Sequence, residues 1–355
     1  MRIGLVNAYS TLNLGDAAIY AGLRSLMPGV ELVACVRDEQ PDTSLGITFT
    51  LHPPRDCDAY VSVGGDIFNN AREWFVTRTF LENLRDLRRH PSRTILFGQS
   101  IPRSCHGVSF YALTHVLRRL QAVCVRDAES HSRLRNAGVK TLLSFDTAFA
   151  LEGTEEGRSA AAELYRGSGI DPGLAVVLSV RAFDTMYSHD NEGFIRNIVE
   201  LCAGIQARGR VPVVLIQSRA YGADNDLEVA RAIVRAAPGT AILDPFAVAS
   251  GHSAWQVAMG VLALAERVIA VRYHTAVLSL ATGRLPYSLH YSNKGRDLCE
   301  RLGLPGCDLA DLRPAAVLDE LFTVSPHGFD HHAIRQQVRA DFSRCLDRVG
   351  APAAA

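Results

Sequence analysis

The chain carries no excess charge of either sign: 37 lysines and arginines are matched by 37 aspartates and glutamates over 355 residues. With no global field to steer it toward nucleic acid or an anionic surface, any anion site must be local. A long apolar run is also lacking. The longest, Val257 to Ala265 between Gln256 and Glu266, is about half of the ~18 residues a membrane span needs, which excludes a transmembrane helix. Arg2 to Val6 runs straight into a polar loop, without the apolar region and cleavage site of a secretory signal, so a cytoplasmic location is expected. Eight cysteines occur without a C-x-x-C pair, which fits neither a disulfide framework nor a zinc knuckle. They read as reduced, mostly buried small hydrophobes. No G-x-x-x-x-G-K-[ST], G-x-S-x-G or H-E-x-x-H is present, so P-loop, serine-hydrolase and zincin chemistries have no support. His327, His331 and His332 sit beside Pro326 and Gly328 and read as a solvated turn; no metal site is expected.

What is present is an ordinary globular composition, 48% hydrophobic and 21% charged, in a chain long enough for about two domains. Short β-branched runs at Arg2 to Val6, Glu31 to Val36, Ala59 to Val63, Thr94 to Phe97, Ala122 to Val125 and Thr141 to Ser144 alternate with helical patterns such as Asp16 to Met27 and Trp74 to Arg89. That alternation predicts a doubly wound parallel sheet. A second series follows, with strands at Leu174 to Val180, Val211 to Ile216 and Val268 to Val271 and helices near Phe194 to Arg208, Asp226 to Ala237 and Trp255 to Ala265. The expected organisation is a Rossmann-like lobe over 1–152, a glycine-rich linker over 153–173, a second Rossmann-like lobe over 174–313, and a helical segment over 314–355 that breaks near Pro326, crosses back to the first lobe and frays beyond Gly350. The fold class is therefore α/β, two facing Rossmann-like lobes with parallel sheets.

Polar and glycine residues gather just after the strands. Val6 leads to Asn7 through Asp16, Val63 to Gly64-Gly65-Asp66, Phe97 to Gly98-Gln99-Ser100, Val125 to Arg126-Asp127, Val180 to Arg181 and Val271 to Arg272-Tyr273-His274. The carboxyl edge of an open α/β sheet is where ligands bind. Asp16 can cap a helix or serve as a base on an acceptor hydroxyl. Gly64-Gly65-Asp66 permits close backbone approach to a ligand, or merely a tight strand-to-helix turn. Arg272 and His274 at a strand end beside a helix N-terminus suit a phosphate; the plain alternative is Arg272 in a structural ion pair and His274 as an inert cap. Lys294 supplies another cation after the run Tyr287 to His290.

Taken in order, these residues resemble the polysaccharide pyruvyl transferase family from Asn13 to about Gly303. Asn13-Leu14-Gly15-Asp16 is similar to its N-x-G-D box, Gly64 to Phe68 to its glycine-rich box, and Gly98 to Pro102 to its G-x-S-I-G-P box. Arg126-Asp127-Ala128-Glu129-Ser130 resembles R-D-x-x-S, Asp146-Thr147-Ala148-Phe149 D-x-A-F, and Arg272-Tyr273-His274 R-x-H, while Gly283 through Pro286, Tyr291 and Lys294 resemble the closing G-x-P…Y-x-x-K segment. Two departures stand out: Asp66 takes the place of a third glycine, and no glycine separates Ile101 from Pro102.

The resemblance implies a GT-B-like fold and transfer of the enolpyruvyl-derived unit of phosphoenolpyruvate onto two sugar hydroxyls, forming a pyruvate ketal and releasing phosphate. It needs no cofactor beyond phosphoenolpyruvate as co-substrate. The acceptor would be a sugar, glycolipid or polysaccharide precursor, and nucleic acid is not a partner. On this reading Asp16, His274 and Arg272 are catalytic. Arg272, His274, Lys294, Arg181 and Arg126 hold the donor, and Asn13, Asp16, Gly64, Gly65, Asp66, Gln99 and Ser100 face the acceptor. Two alternatives remain, a sugar-nucleotide-dependent GT-B glycosyltransferase and a catalytically silent anion-binding protein of the same fold. The acceptor's identity and the oligomeric state are left open.

Overall fold

Alternating buried strands and amphipathic helices give two α/β units in the computed structural model, which describes residues 1–70, 72, 74–183, 190–220, 225–248 and 253–350. The first unit comprises residues 1–11, 16–151 and 332–355; the second comprises 12–15 and 152–331.

The first unit is built on β1 (Arg2–Val6), β2 (Glu31–Ala34), β3 (Thr48–Phe49), β4 (Ala59–Ser62), β5 (Thr94–Gln99), β6 (Ala122–Val125) and β7 (Leu142–Leu143), in the spatial order β3-β2-β1-β4-β5-β6-β7. Every pairing is parallel. The strand order reverses between β1 and β4, so the loops that leave them diverge and open a crevice. β4, β5 and β6 are buried throughout, as strands covered on both faces must be. α1 (Leu14–Leu26), α2 (Arg78–Arg89), α3 (Gly107–Leu117) and α4 (Ala128–Asn136) supply crossovers. On one sheet face Phe80, Leu84 and Leu87 of α2 join Leu113, Val116 and Leu117 of α3 over Leu96 and Val123. A bulge shifts the β5–β6 register between Phe97 and Gln99, at Gly98, whose φ of 72° only glycine adopts at low cost.

The second unit has β8 (Ala175–Ser179), β9 (Val211–Leu215), β10 (Ala241–Leu243), β11 (Arg267–Ala270), β12 (Tyr287–His290) and β13 (Gly306–Asp308), in the order β10-β9-β8-β11-β12-β13 and again all parallel. Its reversal lies between β8 and β11. The helices are α5 (Glu155–Gly167), α6 (Asn191–Ala207), α7 (Leu227–Ala236), α8 (Ala254–Leu264), α9 (Tyr273–Ala281), α10 (Asn293–Leu302) and α11 (Pro314–Thr323). Phe194, Ile198, Leu201 and Ile205 of α6 bury against Val176, Leu178 and Val214 of the sheet, each large aliphatic contributing about 1.5–3 kcal/mol.

Two expectations need correcting. The segment 153–173 is largely helical: Thr154 caps α5 by accepting from Gly157 N, Ala160, Ala161 and Tyr165 are buried, and the Tyr165 hydroxyl donates to Val261 O at 3.0 Å. Its glycines misled because one of them is a packing residue. A Cβ on Gly260 of α8 would sit 2.4 Å from Gly157 O, and one on Gly157 would sit 2.6 Å from Gln256 O, so α5 and α8 approach closely only because both positions lack side chains. Leu12–Gly15, expected in the first lobe, falls in the second unit, although residues 1–11 before it and 16–151 after it belong to the first. Leu14 N donates to Gln217 O at 2.9 Å and Arg219 N to Leu12 O at 2.8 Å, and Asn13 bridges Ser218. The C-terminal segment breaks between α11 and α12 (His332–Asp347), and α12 seats Phe342 edge-on against Phe97 of β5, ring centroids 5.1 Å apart. Residues 351–355, expected to fray, lie outside the described residues.

Candidate functional site

At the carboxyl edge of the second sheet, β11 and β12 lie side by side and each runs into a helix. α9 opens with Tyr273-His274 and α10 with Asn293-Lys294. Each strand therefore delivers a basic side chain at the second position of a helix, where amide N–H groups have no intrahelical acceptor and the macrodipole is positive. The Lys294 ammonium lies 5.6 Å from the Tyr273 ring centre, and the rings of Tyr273 and His274 meet edge-on at 5.2 Å. Beyond β8, Arg181 donates from Nη1 to the Tyr291 hydroxyl at 2.5 Å and stacks over the Tyr291 ring, 5.0 Å from its centre. Tyr273 and Tyr291 also line a cavity of about 10 Å³, room for a single water. Arg181, His274 and Lys294, each half-buried, thus converge on one edge of one unit.

Arg272 forms a buried ion pair, the plainer of the two readings its position allows. Only 5% exposed, it pairs through Nη2 with the fully buried Asp226 and donates from Nε to Val180 O at 3.1 Å. Asp226 in turn accepts from Gln217 N at 3.0 Å and Ser218 N at 2.9 Å. The Ser179 hydroxyl, at the end of β8, accepts from Val271 N at 2.9 Å and Arg272 N at 3.0 Å. The guanidinium thus ties the exits of β8, β9 and β11 together. Asp226 stands 46 positions away in the chain, so no local spacing signals the pair. The exit of β9 at Gln217-Ser218 was also missed. A polar pair directly after the apolar run ending at Ile216 is the signal that marks it, and it anchors Leu12–Gly15. Asn13, expected on the acceptor side of the first lobe, instead accepts from Gly15 N at 2.9 Å within the second unit. Gly15 lies under His274: a Cβ there would fall 2.2 Å from the imidazole Nδ1.

In the first unit the sequence boxes turn out to be one bonded scaffold. Arg126, 2% exposed, gives Nη1 to Asp146 Oδ2 at 2.5 Å and Nε to Ser100 Oγ at 2.8 Å. Asp127 caps α4 through Ser130 N, and the Ser130 hydroxyl accepts from Ile101 N at 2.7 Å. Gln99 donates to Ser62 Oγ at 2.9 Å and Val63 O at 2.6 Å, and Ser62 donates to Asn7. Arg126, expected at the donor, and Gln99 and Ser100, expected at the acceptor, are therefore buried members of this network. Gly64, with φ of 105°, and Gly65, whose Cβ would meet Arg126 Nη2 at 3.3 Å, form the turn above it; Asp66 is 3.7 Å from the same guanidinium. Asp16 is half-buried in the first turn of α1. Burial first, then the Asp16 carboxylate, push the neighbouring Tyr20 phenol well above its ordinary value.

A cavity of about 240 Å³ opens at the carboxyl ends of β1 and β2, lined among others by Tyr9, Arg37, Glu82, Asn83, Asp86 and Arg89. The Tyr9 hydroxyl donates to Asn83 Oδ1 at 2.8 Å, and the Arg37 guanidinium covers the Tyr9 ring at 4.7 Å. None of the acceptor residues named from the sequence lines it. Among the described residues, no group of three or more histidine, cysteine, aspartate or glutamate side chains is arranged to hold a metal, and no helix is long and apolar enough to cross a membrane.

The fold has solved counterparts. UDP-N-acetylglucosamine 2-epimerase from Rickettsia bellii superposes with a TM-score of 0.60 at 8% identity, over 99% of this chain and 97% of that one. UDP-GlcNAc 2-epimerase from Methanocaldococcus jannaschii gives 0.56 at 9%, over 96% and 99%. Anabaena HepE, solved in complex with UDP, gives 0.54 at 10%, over 98% and 96%. At such identities the likeness establishes the fold class, that of the GT-B-type glycosyltransferases and epimerases, and nothing about chemistry. No curated protein matches the chain in sequence. The model of one family, polysaccharide pyruvyl transferase, matches residues 13–293, a span that begins at the loop beneath His274 and ends at the first residue of α10. By that match over most of its length, the chain belongs to the polysaccharide pyruvyl transferase family.

Proposed function

We propose that the protein moves the three-carbon unit of phosphoenolpyruvate onto two hydroxyls of a sugar acceptor, giving a pyruvate ketal and inorganic phosphate. The observation that carries this reading is the pair of helix N-termini after β11 and β12, bearing His274 and Lys294, with Arg181 at the same sheet edge. Phosphoenolpyruvate presents a phosphate and a carboxylate, and charge-assisted hydrogen bonds to such groups contribute about 1.5–3 kcal/mol each. Lys294 and Arg181 hold the anionic groups, and Arg272 keeps the exit of β8, which leads into Arg181, in place. His274 gives a proton to the methylene carbon, which becomes a methyl group as the adjacent carbon turns electrophilic. One sugar hydroxyl bonds to that carbon and loses its proton to a base. The second hydroxyl then bonds to the same carbon as the carbon–oxygen bond to phosphate breaks, and its proton leaves with the phosphate. Asp16, next in the chain after Gly15, is the candidate base.

The test incubates the protein with phosphoenolpyruvate and a mixture of galactosides, mannosides and glucosides, reading phosphate release and the mass of each glycoside. A glycoside heavier by one ketal-linked pyruvyl unit, formed only with phosphoenolpyruvate, is the expected result. Consumption of a UDP-sugar with phosphoenolpyruvate untouched would select the glycosyltransferase reading. Tight phosphoenolpyruvate binding without turnover on any acceptor would select the silent binding protein.

A further inference from the structure

Charge in this chain is balanced overall and sharply unbalanced in one place. Residues 74–120 hold eight arginines against two carboxylates, Glu82 and Asp86, a local +6 in a protein whose total is zero. The same stretch holds five of the eight large hydrophobic side chains exposed among the described residues: Trp74, Phe75, Leu81, Val108 and Tyr111. Trp74 is 83% exposed and Tyr111 71%. Apolar exposure on this scale, concentrated rather than scattered, marks an interaction surface.

Packing puts these side chains on a common outer face. α2 and α3 are neighbours and bury Phe80, Leu84, Leu87, Leu113, Val116 and Leu117 in one cluster against the same side of the first sheet. The faces opposite that cluster turn outward together. α2 shows Arg78, Leu81, Arg85 and Arg88 there, α3 shows Val108 and Tyr111, and exposed Arg119 follows the C-terminal end of α3, while Arg118 donates to Ala137 O just after α4. Trp74 and Phe75 stand in the loop that enters α2, with the Arg72 guanidinium 5.4 Å from the Phe75 ring centre. Glu82 pairs with Arg78 at 2.9 Å, Asp86 faces Arg89 at 3.8 Å, and Arg103 pairs with Glu129 of α4 at 2.6 Å, so of the eight arginines three have a carboxylate within ion-pair distance.

We propose that this α2–α3 face docks the protein onto an anionic lipid surface, with Trp74 and Phe75 entering the headgroup region and the arginines contacting lipid phosphates. Indole and phenyl rings beside guanidinium groups on the outer face of paired helices match an interfacial anchor, with one end apolar and the other wet. Complementarity of charge chooses an anionic partner, and the large apolar component favours a lipid surface over a purely ionic polymer. The inference goes beyond the transfer reaction and does not depend on it.

Trp74 is a built-in probe. The chain has two tryptophans, and Trp255 is buried in α8. The full-length protein is mixed with vesicles of phosphatidylglycerol and phosphatidylcholine, or of phosphatidylcholine alone, while emission and co-sedimentation are followed. A blue shift and sedimentation with the anionic vesicles are expected. Both should reverse between about 0.1 M and 1 M salt, as the screening length shrinks from about 10 Å to about 3 Å. Trp74→Phe should abolish the shift and keep the sedimentation. The combined variant Arg85→Glu, Arg88→Glu, Arg119→Glu, altered only at exposed positions, should lower the vesicle-bound fraction more than about tenfold. Protein that stays in the supernatant with unshifted emission overturns the proposal. So does a blue shift without vesicles that accompanies a doubled mass, since a second copy would then cover the face.

Discussion

The His274 imidazole rests on the α-carbon of Gly15, so closely that a methyl group there would fall 2.2 Å from Nδ1. The first box of the sequence and the R-x-H box, about 260 residues apart, are thereby in contact within one unit. Gly15→Ala should displace the ring, because a flexible side chain yields more readily than a helix start. Phosphoenolpyruvate-dependent turnover should fall at least about tenfold, as displacement of a catalytic group by about 1 Å can cost that and more. The unfolding midpoint should barely move. Normal turnover in a folded Gly15→Ala protein would separate His274 from the chemistry.

For Arg272 the expected outcome is loss of the fold rather than of catalysis alone. Removing one partner of a buried ion pair leaves the other charge without compensation, at a cost of about 3–5 kcal/mol. Arg272→Ala should lower the denaturation midpoint sharply, and Asp226→Asn should do so to a comparable degree. Urea titration followed by circular dichroism measures both. If Arg272→Ala unfolds like the parent yet no longer binds phosphoenolpyruvate, the guanidinium belongs to the donor site after all.

His274→Ala and Lys294→Met should show the opposite pattern. Both side chains are half-buried at helix starts, so stability should be nearly kept. Loss of a proton donor lowers kcat by about 10²–10⁴, which is the expectation for His274→Ala. Lys294→Met should act chiefly by raising KM for phosphoenolpyruvate, about ten- to a hundredfold for one charge-assisted hydrogen bond. Steady-state kinetics with varied phosphoenolpyruvate separate the two.

Acid should weaken the second unit through His290. Burial lowers its pKa below 6.5, with Arg296 pushing the same way while Asp308 and Glu300 push back. Between that lowered value and 6.5 the unfolded chain binds a proton that the folded chain does not. The stability held by the neutral ring is therefore full above about pH 6.5 and declines as the pH falls below it. Midpoints recorded from about pH 7.5 to about pH 5 should drop more for the parent than for His290→Gln. Parallel curves would remove His290 from the acid response.

The contact of α5 with α8 gives a structural test. Gly260→Ala places a methyl 2.4 Å from the backbone carbonyl of Gly157, which cannot move without parting the helices. Overpacking of this kind costs about 1–3 kcal/mol, read as a lower thermal midpoint. A neutral outcome would mean that the helices slide apart at little cost.

Much of this molecule was legible in the order of its residues. Buried β-branched runs alternating with amphipathic helices dictate parallel sheets, because strands covered on both faces need no polar alternation and parallel pairing needs a crossover. The boxes after the strands marked the two edges, and the family followed from their order. What the chain order could not supply was partnership. β3, β7, β10 and β13 are two or three residues long and take their form from neighbouring strands. Gly157 reads as a loop residue until α8 stands against it. Arg272 and Arg126 look alike in sequence to a ligand-binding cation, and their buried partners Asp226 and Asp146 stand 46 and 20 positions away in the chain. Whether a charge meets a buried counter-charge depends on what the folded chain brings beside it, so the sequence by itself determined fold class and family, and tertiary structure decided that Arg272 and Arg126 are each paired with a buried carboxylate.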